Sequence, residues 1–282
     1  MLVYTTQITL KEHLSPLKSK GKTIGLVPTM GAIHMGHLSL MQEALSQNDI
    51  VVVSIFVNPT QFNNPNDLEK YPRTLERDVK LIESLSDKII VFAPSVEDIY
   101  ADNAVADIFK YDGLENQMEG ANRPGHFNGV GTIVKKLFEI TEADKAYFGE
   151  KDFQQLQIIR NMTTQFKLPV EIVGVPIFRQ EDGLAMSSRN ELLSDEAKKE
   201  ATLINQIMLQ AKNLFKSKSI KEVVDFVENE FKKHSNFELE YFEIADEKTL
   251  QTAIEKTENT KYRGFVVVHL DNVRLIDNIS LN

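Results

Sequence analysis

The chain has 282 residues, 42% of them hydrophobic and 26% charged, with 13 Gly and 9 Pro. That is material for about two domains with real cores, and it is not the composition of a disordered or fibrous protein. Cysteine is absent, which excludes a disulfide framework, an iron–sulfur or thiolate zinc site and a thiol nucleophile, while a formal net charge of −9 argues against a broad nucleic-acid or membrane surface.

The amino terminus, MLVYTTQITLKEHLSPLKSKGK, lacks the apolar stretch and small-residue cleavage site of a leader. No run of about eighteen apolar residues occurs. A soluble, cytoplasmic protein is the expectation.

Five short apolar runs follow in the first half: 23–27, 50–57 (IVVVSIFV), 88–92, 145–148 and 170–175. Each is bounded by Gly, Pro, Asn or Asp, and continuous runs of this kind suit strands buried on both faces of a parallel sheet. Between them helical spacing recurs, with Leu38, Met41 and Leu45 on one face, then Leu75, Val79 and Ile82, then Val130, Ile133, Val134 and Leu137. This alternation predicts a Rossmann-like, doubly wound α/β domain over residues 1–176, whose ligands bind at the carboxyl ends of the strands.

Beyond residue 176 the pattern changes. Ser194 precedes a long helical pattern through Ile204, Ile207, Met208, Ala211, Leu214 and Phe215, and Ser219 with Glu222 has the spacing of a capping box. Phe237, Leu239 and Tyr241 then alternate as a half-buried strand, and 264–270 and 273–279 read as further strands. A smaller α+β domain is expected over 177–282. Acidic side chains outnumber basic ones in both parts, so neither is a basic nucleic-acid module.

The first strand runs into Pro28-Thr29-Met30-Gly31-Ala32-Ile33-His34-Met35-Gly36-His37-Leu38, with a helical pattern opening near Gly36. Strand, glycine turn and helix in succession set free backbone N–H groups and the positive end of a helix dipole at the sheet edge, a geometry that attracts phosphate. His34 and His37 are three apart, so both imidazoles can face one spot, and Gly36 lets a ring or phosphate approach the backbone. Two such donors would stabilise charge building on a phosphoryl oxygen. The alternatives are a structural or solvated histidine pair, and a metal pair, for which no third ligand stands nearby.

His34-Met35-Gly36-His37 is the H-x-G-H signature of a nucleotidyltransferase superfamily, and the longer string PTMGAIHMGHLSL resembles the pantothenate synthetases (pantoate-beta-alanine ligases). Further blocks agree in order: Asn58-Pro59-Thr60-Gln61-Phe62, Tyr71-Pro72-Arg73, Arg123-Pro124-Gly125-His126-Phe127, the 148–155 block FGEKDFQQ, and Met186-Ser187-Ser188-Arg189-Asn190. The resemblance implies ATP-dependent condensation of pantoate with beta-alanine to pantothenate, AMP and pyrophosphate through a pantoyl adenylate, with ATP and Mg²⁺ but no prosthetic group; the Mg²⁺ would be held largely by phosphate oxygens and water, and no protein ligand is assigned to it.

The same resemblance implies catalytic roles for His37, His34 and Lys151, and ATP contacts at Met30, His34, Gly36, His37, Gly149, Lys151, Asp152, Phe178, Met186, Ser187, Ser188 and Arg189. Gln61 and Gln155 would bind pantoate, with Gln61 touching beta-alanine and Asn58 beside it. Amides suit hydroxyl and carboxylate oxygens without adding charge. Gln155, four residues beyond Lys151 in a helical pattern, reaches the same pocket. The family commonly has a smaller aliphatic residue at the position of Phe178, where the main chain would meet adenine. The roles of Arg123 and His126 do not follow from the sequence. A homodimer is implied, the second domain would close over ATP, and neither nucleic acid nor membrane is an expected partner.

Competing readings are another small-molecule nucleotidyltransferase, a tRNA-charging enzyme, and an idle nucleotide-binding protein. Acidity and short length disfavour tRNA, the Asn58 and Gln61 amides favour a hydroxy-acid pocket, and an idle protein would not need the donors His34, His37, Lys151 and Ser187–Arg189 together.

Overall fold

Apolar runs too short for helices become strands, and here six of them lie parallel. The computed structural model describes residues 1–282. Two compact units divide it, Met1–Pro176 and Ile177–Asn282.

In the first unit the order is β1 (Leu2–Tyr4), α1 (Gln7–Ser19), β2 (Ile24–Thr29), α2 (Met35–Gln47), β3 (Ile50–Ile55), α3 (Pro65–Lys70), α4 (Leu75–Glu83), β4 (Ile89–Phe92), α5 (Val96–Tyr100), α6 (Met118–Asn122), α7 (His126–Thr141), β5 (Lys145–Gly149), α8 (Phe153–Gln165) and β6 (Glu171–Val175). The strands form one sheet in the order β1-β4-β3-β2-β5-β6, with every pairing parallel. Leu26, Val27, Val51, Val52, Val53, Ile89 and Val91 lose almost all exposure, as strands covered on both faces must.

The chain moves outward from β2 to β3 to β4, then returns to place β5 on the other side of β2. That reversal is a topological switch point, and the crevice of such a sheet opens beyond the carboxyl ends of the strands flanking it. β3, β2 and β5 are adjacent there, and the blocks carrying Asn58, His34 and Lys151 follow those three strands in turn.

Two expectations need correction in this unit. Leu75 is 39% exposed, because it opens α4, and it is Ile82, buried, and Val79, half-buried, that pack on the core. β1 and α1 were not anticipated: β1 has three residues at the sheet edge, with Leu2 and Val3 exposed, and α1 contains Pro16 and buries only Leu10 and Leu14.

In the second unit α9 (Asp195–Phe215) and α10 (Ile220–Lys232) pack on an antiparallel sheet of β7 (Phe237–Asp246), β8 (Tyr262–Leu270) and β9 (Val273–Ser280), ordered β7-β8-β9. Ser194 caps α9 by accepting from the Ala197 N–H at 3.2 Å, and Ser219 and Glu222 form the expected box on α10. β7 departs from simple alternation. A bulge between Leu239 and Tyr241 inserts Glu240, so the inward face passes from Phe237 and Leu239 to Phe242 and Ile244 rather than to Tyr241.

Candidate active site

β2 ends in a turn that two left-handed residues close, Gly31 (φ 85°) and Ala32 (φ 50°). The second carries a side chain there, at a steric cost of about 1 kcal/mol. Asp78 of α4, with no exposed surface, holds the turn: its carboxylate accepts from the N–H groups of Ala32 and Ile33, both at 2.9 Å, and from the Thr74 hydroxyl at 3.1 Å. Gly31 N–H donates to Thr29 Oγ1 at 3.2 Å, and His34 N–H to Nδ1 of His37 at 3.3 Å.

Four successive turn amides are therefore satisfied within the protein, which corrects the expectation that this turn offers them to a phosphate. The first turn of α2 is what remains, where helix geometry gives the N–H groups of Met35 and Gly36 no intrahelical acceptor. Sequence reasoning missed Asp78 because its partners lie 45 residues and more upstream, and a single Asp between apolar positions of α4 reads as a solvent-facing residue.

The imidazoles of His34 and His37 stack with centroids 4.0 Å apart and planes 28° from parallel. Because Nδ1 of His37 accepts a hydrogen bond, the ring's one proton in its neutral form sits on Nε2. Burial, then the neighbouring His34 and the Lys151 ammonium, push the His37 pKa down to about 3. At neutral pH this ring is an uncharged Nε2–H donor, pre-oriented by the backbone it caps. Lys151, in the 3-10 turn Glu150–Asp152 between β5 and α8, is the cation in its field. Lys151 thus precedes the helix rather than sharing it with Gln155, which lies in the first turn of α8.

Past β3, Pro59–Gln61 forms a 3-10 turn against α7. A Cβ on Gly129 would stand 2.3 Å from the Thr60 carbonyl oxygen, so the turn sits this close only over glycine. Asn58 is 1% exposed, and its whole amide is used internally: Nδ2 donates to Gln61 Oε1 at 3.2 Å and to Gly129 O at 3.0 Å, while Oδ1 accepts from Tyr100 OH at 2.7 Å and Thr60 Oγ1 at 3.1 Å. Gln61 Nε2 points to the Met30 sulfur at 3.0 Å, a weak acceptor that a ligand oxygen would outcompete. Gln154, beside Gln155, is buried and ties α8 to the carbonyls of Leu114 and Gln117.

Within the first unit Gln61 is thus set on Met30, and His34, His37 and Lys151 are gathered together, all beyond the ends of three adjacent strands. No group of three or more His, Asp or Glu is placed to hold a metal ion.

Phe178, Met186, Ser187, Ser188 and Arg189 belong to the second unit. A short hairpin bridges Arg179 and Ala185, Met186 N–H donates to Phe178 O at 3.0 Å, and Arg179 forks onto the buried Asp277 at 2.7 and 2.9 Å. Ser187 caps the following turn by accepting from the Arg189 N–H, and Asn190 donates to Ala185 O at 3.0 Å. The Ser-Ser-Arg segment is thereby held on a scaffold of its own unit.

The pantoate-beta-alanine ligase family model matches residues 2–280. The chain belongs to the pantoate-beta-alanine ligase family. The pantothenate synthetases of Flavobacterium psychrophilum and Christiangramia forsetii are 57% and 52% identical to it, each aligned over 100% of both chains. Among solved structures, the pantothenate synthetase of Thermus thermophilus superposes with a TM-score of 0.91 at 38% identity, covering 100% of this chain and 99% of its own. The pantoate-beta-alanine ligase of Francisella tularensis, complexed with beta-gamma ATP and beta-alanine, gives 0.81 at 36%, covering 100% and 98%. Family membership extends over both units, including the Arg123–Phe127 and Met186–Asn190 blocks. No helix is long and apolar enough to cross a membrane.

Proposed function

We propose that this protein condenses pantoate with beta-alanine at the expense of ATP, through a pantoyl adenylate. The observation that carries the reading is the neutral, Nε2-protonated His37 beside Lys151 at the switch point, with the Gln61 amide following the next strand.

A carboxylate is a poor acylating agent. Attack of a pantoate oxygen on the α-phosphorus breaks its bond to the bridging oxygen, releases pyrophosphate and leaves a mixed anhydride. The amine of beta-alanine then attacks the acyl carbon, the C–O bond breaks, AMP departs with one former pantoate oxygen, and the amine sheds a proton. No protein nucleophile is required. The site has to hold two anions in line and stabilise charge gathering on phosphate oxygens, which calls for neutral donors and cations.

His37 Nε2–H supplies the donor at the α-phosphate, His34 stacks beside it, and Lys151 meets the phosphates. Ser187, Ser188 and Arg189 serve the outer phosphates, the Gly149–Asp152 segment the nucleotide, and the main chain at Phe178 the adenine. Gln61 and Gln155 bind pantoate. Asn58, its amide already used, orients Gln61 instead of touching substrate. Mg²⁺ enters with ATP, held by phosphate oxygens and water. A cytoplasmic homodimer completes the reading.

Pure protein given ATP, Mg²⁺, pantoate and beta-alanine should form AMP, pyrophosphate and pantothenate in equal amounts. Formation of ADP, or pyrophosphate release indifferent to pantoate, would overturn the reading.

A further inference from the structure

The Arg123–Phe127 block is part of the family resemblance, yet nothing in the adenylation chemistry requires it. Its geometry gives it a task. His126 opens α7 and is 8% exposed. Nδ1 lies 2.8 Å from the carbonyl oxygen of Gln61, and Nε2 lies 3.4 Å from Nη1 of Arg123. A carbonyl only accepts and a guanidinium only donates, so the two contacts together select one tautomer, with the proton on Nδ1 and the lone pair on Nε2. This is the opposite tautomer to that of His37. Burial, then the charge of Arg123, lower the His126 pKa to about 4 against the opposing pull of the Gln61 hydrogen bond, Glu119 and Asp152, so the ring stays neutral as both contacts demand.

The Gln61 carbonyl closes a three-residue turn whose side chain faces Met30. Three ties hold that turn to α7: the His126 bond to Gln61 O, the Asn58 bond to Gly129 O, and the close approach of Thr60 over Gly129. Asn58 fixes the far end of the Gln61 side chain through Oε1. At the main-chain end the Phe62 N–H of the same peptide returns to Pro59 O at 3.2 Å within the turn, and His126 supplies the tie from the Gln61 carbonyl to α7; rotation of that peptide would swing the Cα–Cβ direction of Gln61 and carry its Nε2–H off target.

We propose that His126 is a positioning residue for pantoate: its Nδ1–H, kept in that tautomer by Arg123, clamps the Gln61 main chain and so aims the Gln61 amide at the substrate. The proposal rests on the reading of Gln61 as a pantoate ligand. With Nδ1 on the Gln61 carbonyl and Nε2 toward Arg123, His126 has no ring nitrogen left for a substrate, so its effect belongs to pantoate through Gln61 and not to ATP.

Three substitutions separate this role from simple packing. Asn places its amide nitrogen near the position of Nδ1 and keeps the bond to Gln61 O. Gln places its amide near Nε2, and Leu has no polar group at all. Steady-state kinetics should give His126→Leu and His126→Gln a pantoate KM raised about tenfold or more, since ångström-scale misplacement of a binding group costs up to about a hundredfold. The KM for ATP should change by less than about twofold, and His126→Asn should restore pantoate KM to near the parent value. Equal rises in both KM values, or failure of Asn to outperform Gln, would overturn the proposal. Should His126→Leu not fold, the Asn and Gln pair alone decides. Gln61→Ala is the control: if it leaves pantoate KM unchanged, the assignment of Gln61 to pantoate fails, whereas a raised KM in Gln61→Ala beside an unchanged one in His126→Gln defeats the clamp alone.

Discussion

His37 has two separable tasks, and two substitutions divide them. Its Nδ1 caps the backbone N–H of His34 at 3.3 Å, and its Nε2–H is the donor proposed for phosphate. Asn reproduces the Nδ1 side: its Oδ1 can accept from His34 N–H, but nothing extends to where Nε2 stood. Gln reproduces the Nε2 side, carrying an amide N–H outward while giving up the cap. The cap is one ordinary hydrogen bond, so its loss should cost about 1 kcal/mol of stability. In the proposed role the donor acts where charge develops in the transition state, and removing one such donor costs about 10²–10³ in rate, or roughly 3–4 kcal/mol. A rapid-quench assay of pyrophosphate release in a single turnover, with saturating ATP and pantoate, reads the adenylation step directly. His37→Asn should fold with near-parent stability and react about 10²–10³ times more slowly, whereas His37→Gln should be slightly less stable and remain within about tenfold of the parent. Since the ring is neutral far below pH 7, no proton need be transferred, and an amide suffices. A Gln variant as slow as His37→Ala would mean that the ring passes a proton, and a fast Asn variant would confine His37 to the cap.

Asp78→Asn replaces an acceptor of two backbone N–H groups with an amide that can satisfy only one of them through oxygen, so denaturant unfolding should register a loss of about 1.5–3 kcal/mol; unchanged stability would remove Asp78 from its place under the turn. Gly149 has φ −73° and nothing nearer its missing Cβ than 3.9 Å. Gly149→Ala should therefore fold as well as the parent or better by about 0.5 kcal/mol, while raising the KM for ATP if a nucleotide lies on that backbone; unchanged ATP binding would move the nucleotide elsewhere. Nitrogen-detected NMR should find His37 protonated on Nε2 and His126 on Nδ1 from about pH 8 to about pH 5, and an imidazolium signal for either near pH 6 would contradict both tautomers. The linked consequence has a definite sign. Between the ordinary value of 6.5 and about 4 the unfolded chain binds a proton at His126 that the folded chain refuses, so stability falls as pH falls through that window, and His126→Asn should flatten the slope.

Much of the fold was legible because its strands announce themselves. IVVVSIFV admits no amphipathic alternative, and the turns after β2, β3, β4, β5 and β6 carry Gly, Pro or Asn. What the sequence hid was tertiary. Three-residue β1 has no period to read, and α1 buries only the pair Leu10 and Leu14, with Pro16 just beyond them. The bulge at Glu240 depends on pairing with β8, which alternation within β7 cannot express.

The site followed the same division. His34, His37, Lys151 and Gln61 stood out as chemistry-bearing side chains after strands, whereas the residues that aim them did not. Asp78, Asn58, Gly129 and His126 act through backbone groups far away in sequence, and such contacts leave no local pattern. Asn58 illustrates the ambiguity: an amide after a strand reads as a substrate contact until burial shows all its polar atoms already used. The acidic surface and the phosphate chemistry are compatible for a related reason. A net charge of −9 forbids a broad basic face, but the proposed phosphate site, with a neutral imidazole donor, one lysine and a helix amino terminus, needs no such face.

The fate of one oxygen atom tests whether a pantoyl adenylate forms. Pantoate labelled with ¹⁸O in its carboxylate should deliver one labelled oxygen to AMP in each turnover, read by mass spectrometry of the isolated nucleotide. AMP free of label, or label in inorganic phosphate accompanied by ADP, would contradict attack of the pantoate carboxylate on the α-phosphorus.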